Sequence, residues 1–329
     1  MATQVRFNVE DAAAIRFGIS PLWETLRSLY ALGDPGRYAI HLPWIRRARQ
    51  LARERSLLGH VDVLKTFARP GVWMPDFLTP PPAGPLVELE DELEIVLRTP
   101  TPEVVADLAA TAAGRTTAVT RAALHEPQAV LEALVEAARA WHDAAIKPQW
   151  PRIRALLEAD IAFRSRQLVE GGARQLFDTL HPTVRWADDR LVCDDPWNLD
   201  LDLRGRGLPL IPSAFVDRRV LWNVRADPAP VAVYPARAAA TLWDRPRPTS
   251  GGLAAVLGAT RAHLLELLRG PATTTELARR LALSPAAVSQ HLRALHNAGL
   301  LTRSPNGRVV LYAATEPALA LLRIQEHAG

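Results

Sequence analysis

Thr273-Thr-Thr-Glu-Leu-Ala-Arg-Arg-Leu-Ala-Leu-Ser-Pro-Ala-Ala-Val-Ser-Gln-His-Leu-Arg-Ala-Leu-His-Asn-Ala-Gly-Leu-Leu301 is the stretch that decides the reading of this 329-residue chain. Thr273 followed three residues later by Glu276 fits a capping box, so a helix starts there and buries Leu277, Ala278 and Leu281. Ser284 with Pro285 starts a second helix, because Ser caps a helix N-terminus well and Pro is tolerated at the first helical position. Val288, Leu292 and Leu295 recur at helical spacing and supply one apolar stripe. Gly299 supplies the stop. Next comes Leu301-Thr-Arg-Ser-Pro-Asn-Gly-Arg-Val-Val-Leu-Tyr312, in which two β-prone runs flank Asn306-Gly307, a strong hairpin signal. Helix, turn, helix and hairpin together predict a winged helix-turn-helix.

Ala286, Ser289, Gln290 and Arg293 fall on the face opposite the apolar stripe. They are small, hydrogen-bonding or cationic, which suits entry into a major groove: Gln pairs with adenine, Arg with guanine or phosphate. Ser284 at the helix start, with Arg303 and Arg308 in the hairpin, completes the candidate DNA-binding set. Charge agrees with this reading. The chain carries +4 overall, and residues 250–329 hold 8 Arg, no Lys and 4 acidic residues, while the remainder balances to zero. The net positive charge therefore lies in the segment expected to meet phosphates.

The run from Glu276-Leu-Ala to Leu300, above all Val-Ser-Gln-His-Leu-Arg-Ala-Leu followed by Ala-Gly-Leu-Leu, resembles the winged-helix repressors of the ArsR type, a bacterial family responsive to arsenicals and metals. The resemblance implies a homodimeric transcription factor that leaves its operator, a double-stranded DNA site, when an effector binds. It also implies metal sites that this sequence does not match. Where members that sense soft metals carry Cys-x-Cys-Asp-Leu, this chain has Thr273-Thr274-Thr275-Glu276-Leu277. The family's second site uses His and carboxylate pairs on the last helix, and residues 316–328 offer only Glu316, Glu326 and His327. Zinc and cadmium want three or four N, S or carboxylate ligands, so no metal and no cofactor is expected. The resemblance further implies a dimer interface on the helices flanking the motif, with Leu253, Val256, Leu257 and Leu264 on the first and Leu319, Leu322 and Ile324 on the last.

The length allows two or three domains, and a 48% apolar content argues against disorder. No run approaches the roughly 18 apolar residues of a membrane span, and the first residues lack an apolar signal region. The expected location is cytoplasmic. Cys193 is the single cysteine, which excludes an intrachain disulfide and reads as a small packed residue. Trp243-Asp-Arg-Pro-Arg-Pro-Thr-Ser-Gly-Gly252 marks a domain junction. An N-terminal regulatory or dimerisation region over 1–245 and a DNA-binding domain over 246–329 follow.

Within the first, Ser20-Pro21 and Thr101-Pro102-Glu103 start helices, and Pro80-Pro-Pro-Ala-Gly-Pro85 forms a loop. Long helices run from Ala129 to Leu180 with interruptions near Pro148, Pro151 and Gly171-Gly172. Short strands are expected at 184–186, 191–193, 199–203, 208–215, 220–224 and 231–234. The region is thus helical to about 180 and β-rich over 181–240, and the chain as a whole is α+β and predominantly helical.

No nucleophile elbow, phosphate loop or zinc spacing marks an enzyme. His142 and Asp143 are adjacent on a helix and point in different directions, so they make no dyad. In Leu199-Asp-Leu-Asp-Leu203 the leucines take one face and the aspartates the other, as in a half-buried strand. Arg46, Arg47, Arg49, Arg53 and Arg55 read as a solvated helix face, with phosphate contact as the other reading. The nine tryptophans all precede residue 244 and read as core, with an apolar pocket for a small-molecule effector as a second reading. The alternative to a DNA-binding regulator is a protein-interaction or enzymatic module in which the winged helix is a passive adaptor.

Overall fold

The computed structural model describes residues 2–70, 73–111, 125–187, 189–224, 229–243, 252–281, 283–306 and 309–327. The chain forms two units, Met1–Trp243 and Asp244–Gly329. The architecture is α+β, mainly helical, with three small sheets.

The first unit opens with β1 (Ala2–Arg6), α1 (Val9–Ala13) and β2 (Arg16–Phe17), followed by α2 (Pro21–Gly33). Ser20 caps α2 by accepting from Trp23 N–H at 3.0 Å, and Pro21 occupies its first turn. Every residue from Pro21 to Leu32 is buried, so this helix runs through the middle of the core and its polar residues need internal partners. They find them: Ser28 accepts from the Trp141 indole N–H at 2.9 Å, and Thr25 bonds His142 at 2.9 Å.

Around α2 pack α3 (Leu42–Glu54), α4 (Leu58–Lys65), α5 (Leu89–Leu97), α6 (Thr101–Thr111) and α7 (Pro127–Trp141). On α3, Trp44, Ile45, Ala48 and Ala52 turn inward while Arg46, Arg47, Arg49 and Arg53, with Arg55 at its C-cap, are exposed. The long α8 (Trp150–Asp178) takes Pro151 in its first turn and breaks at Gly172, whose φ of 67° lies in the left-handed region. His142 is buried in a wide turn while Asp143 pairs with Lys147 outside at 2.8 Å, so the two diverge as the helical spacing predicts.

The strands after residue 181 are β3 (Val184–Ala187), β4 (Arg190–Asp194), β5 (Asp200–Asp202), β6 (Pro209–Ser213), β7 (Leu221–Asn223) and β8 (Val231–Pro235). They make two sheets, in orders β3-β4-β1-β5 and β2-β6-β8-β7. Sequence reading places strands only after 181, yet each sheet also takes a strand from before residue 20. β1 sits between β4, antiparallel with Val5 opposite Leu191, and β5, parallel with Val5 opposite Leu201. The strand β2 joins the parallel run at β6. The helical and β-rich parts are therefore tied together by the first residues of the chain, a pairing across almost 190 residues that no local pattern announces. Cys193 is buried in the core between these strands.

The second unit contains α9 (Gly252–Leu257), α10 (Ala259–Leu267), β9 (Ala272–Thr273), α11 (Thr274–Leu281), α12 (Pro285–Asn297), β10 (Leu301–Asn306), β11 (Val309–Ala314) and α13 (Glu316–His327). Its core gathers Leu264, Leu265, Leu268, Leu277, Val288, Leu292, Leu295, Leu301 and Leu322. Leu264 and Leu322 are thus core residues of one copy, which corrects their assignment to a dimer face. Val256, by contrast, is 80% exposed, and the Ile324 side chain lies outside the described residues. Among the described residues no helix is long and apolar enough to cross a membrane.

Candidate nucleic-acid interface

α12 is fixed at both ends by its own sequence. At the start, Ser284 Oγ accepts from Ala287 N–H at 3.2 Å. At the end, Gly299 takes φ 72°, which lets Gly299 N–H reach His296 C=O at 2.9 Å and Leu300 N–H reach Leu295 C=O at 3.0 Å. That bond pair is the Schellman arrangement, which needs a left-handed residue. Val288, Leu292 and Leu295 are buried against α11 and α10, and this sets the rotation of the helix about its axis.

The rotation leaves Ser284, Ala286, Gln290 and Arg293 exposed and Ser289 half-buried. Ala286, Gln290 and Arg293 lie on one face at i, i+4 and i+7. Neither Gln290 nor Arg293 is engaged by another described residue, so a forked guanidinium and a bidentate amide stand free one turn apart.

The hairpin pairs β10 with β11 in antiparallel register, from Leu301 opposite Ala314 to Asn306 opposite Val309. The strand therefore runs through Asn306, one residue beyond the place expected for an Asn306-Gly307 turn. Pro305 is accommodated because β10 is an edge strand. Arg303 is exposed on β10, opposite Tyr312; Gly307 and Arg308 lie outside the described residues. On the other side of β11, β9 pairs Thr273 with Leu311, a third strand too short to be read from sequence.

Just before α11, Thr273 Oγ1 accepts from Glu276 N–H at 3.2 Å, which is one half of the expected capping box. The Glu276 carboxylate turns instead to Arg280 one turn on. This separates two adjacent arginines that the sequence reading passed over: Arg280 is paired, whereas Arg279 is exposed with no described partner and can meet a phosphate. The Glu276/Arg280 spacing was the signal that distinguishes them.

The donor set at the family's metal positions does not suit a soft metal. Thr273 and Thr275 are hydroxyls, and that of Thr273 is committed to the helix cap. Glu316 pairs with Arg323, while the side chains of Glu326 and His327 lie outside the described residues. Among the described residues no three His, Cys, Asp or Glu side chains cluster as metal ligands would.

Residues 259–303 match the family described as bacterial regulatory protein, arsR family. Among solved structures, an apo-form mutant of ZitR from Lactococcus lactis is 35% identical over 23% of this chain and 59% of its own, with a TM-score of 0.20. Wild-type ZitR in complex with DNA is 33% identical over 21% of this chain and 49% of its own, with a TM-score of 0.20. A possible transcriptional regulator for arsenical resistance is 39% identical over 23% of this chain and 78% of its own, with a TM-score of 0.20. The chain thus spans between 49% and 59% of the two ZitR structures. No curated protein matches the chain.

Proposed function

We propose that this chain, whose residues 259–303 match the bacterial arsR family, is a homodimeric, cytoplasmic transcriptional repressor that binds a specific double-stranded operator. The observation that carries the reading is the outward face of α12, where Gln290 and Arg293 stand exposed and unengaged beside the small Ala286. A helix docked in a major groove needs small residues where the backbone approaches and free donors where base edges lie. In this reading Gln290 and Arg293 read bases, and Ser284, at the helix N-terminus, meets the sugar-phosphate backbone. Arg279, Arg303 and Arg308 neutralise phosphates on either side. Release follows binding of a non-metal effector, since the hydroxyls at Thr273 and Thr275 replace the thiolates a soft metal would need. The N-terminal unit contributes to dimerisation and sensing, with no catalytic role.

Phosphate neutralisation releases counterions, so affinity for an operator duplex falls steeply as salt rises. Fluorescence anisotropy of a labelled duplex from the gene's own promoter, titrated with full-length protein at about 50 and 200 mM salt, checks this. Neutralising some six phosphates per dimer predicts a loss of roughly a thousandfold; unchanged affinity overturns groove binding.

A further inference from the structure

The N-terminal unit encloses a cavity of about 400 Å³ that the DNA reading does not use. Four of the chain's nine tryptophans, Trp23, Trp73, Trp197 and Trp222, stand in its wall with Tyr30 and Tyr38. Trp73 and Trp197 meet edge to face with ring centroids 4.4 Å apart. Aromatic walls around a chamber of this size suit a flat, apolar molecule.

The polar groups decide its charge. The indole Nε1 atoms of Trp23, Trp197 and Trp222 and the Nε of Arg27 are buried with no hydrogen-bond partner among the described residues. These atoms are sealed behind the wall surface and offer nothing to a ligand, so the charged groups at the surface decide. Arg27 gives an N–H to the Tyr38 hydroxyl at 3.1 Å and lies 3.7 Å over the Tyr30 ring. Glu24, on the same helix, accepts from Ala214 N–H at 3.1 and 3.2 Å, and burial pushes its pKa up to about 7, which makes it a poor counter-ion.

Arg37 is matched by Asp217, which it grips with two bonds of 2.7 and 2.9 Å. The half-exposed Arg219 side chain has no described partner. Asp76 is the one carboxylate among the described wall residues, and it accepts from Val224 N–H at 3.1 Å. The wall therefore carries more positive than negative charge. An aromatic cage alone would suit a quaternary ammonium, but Arg27 and Arg219 repel one.

We propose that this cavity binds an aromatic carboxylate, its ring system between the tryptophans and its carboxylate met by Arg219 in the field of the buried Arg27. Binding at this cavity is read out without DNA and does not depend on α12. Isothermal titration calorimetry of the full-length protein with 2-naphthoate, neutral 2-naphthamide and (2-naphthylmethyl)trimethylammonium tests it. Naphthoate should bind at least roughly tenfold more tightly than the amide, the worth of a charge-assisted bond, and the ammonium should bind least. Arg219→Gln, at a half-exposed position that leaves the fold intact by circular dichroism, should abolish the preference while leaving the amide's affinity unchanged. Equal affinity for acid and amide overturns the proposal. So does preference for the ammonium, a preference that survives Arg219→Gln, or no heat from any of the three at about 1 mM, where even weak ligands register.

Discussion

Gln290 and Arg293 are three residues apart on α12, so both side chains point to one strip of surface, and nothing described in the protein competes for their donors. Base-reading groups and phosphate-neutralising groups fail differently when removed. Gln290→Ala and Arg293→Ala should each cost about 1–3 kcal/mol on the operator and little on random DNA. Arg303→Ala, in the wing, should weaken both duplexes alike. Equal losses on the two duplexes for all three variants, measured by anisotropy, would remove the base-reading assignment. These positions are legible in sequence because burial of Val288, Leu292 and Leu295 fixes the opposite face by geometry alone. Arg279 is harder to find, since its freedom is defined only by what Glu276 does with Arg280.

At the scale of elements, α12 depends on two local devices whose loss is measurable. Ser284→Ala removes a cap worth about 1 kcal/mol. Gly299→Ala keeps open space around the new methyl but forces it into a left-handed backbone, at a cost of about 1–2 kcal/mol. Urea unfolding should register both losses, and a Gly299→Ala variant as stable as the parent would mean that the helix ends in some other way. Caps, stops and apolar spacing are local, which is why this helix can be read directly from Ser284 to Gly299. β1 carries no comparable signal. It is positioned by Thr3, whose hydroxyl donates to Asp195 at 2.8 Å, and by partners at 190–194 and 200–202. Two-residue strands such as β2 and β9 owe their existence to the sheet they join, and the register of the wing at Asn306 is likewise set by its partner strand.

At the scale of the whole molecule, the N-terminal unit buries groups whose charge is costly. Burial pushes Glu92 up to about 8 and Glu24 to about 7, and pushes His41 and His142 down to about 4. A carboxyl raised above its unfolded value of 4.5 adds stability at low pH that is lost as pH rises through the folded value. The histidines act oppositely, gaining stability as pH rises from about 4 to 6.5, and they are silent above that. Between pH 6.5 and 8 the carboxyls alone remain. The melting temperature of the N-terminal unit should therefore fall over that interval, and Glu92→Gln should flatten the fall; a level profile in the parent contradicts the burial of these acids in neutral form.

Charge is divided between the units, with the positive excess in the one that carries α12, and one such helix covers only a few base pairs. In the proposed dimer, two such heads on a two-fold axis supply the specificity. Selection of bound duplexes from a random library by full-length protein tests this most directly. A dimeric reader should enrich an inverted repeat with half-site centres roughly 10–10.5 base pairs, about one DNA turn, or a whole multiple of it apart. A library that emerges with no enriched sequence, or with a single asymmetric site, contradicts it.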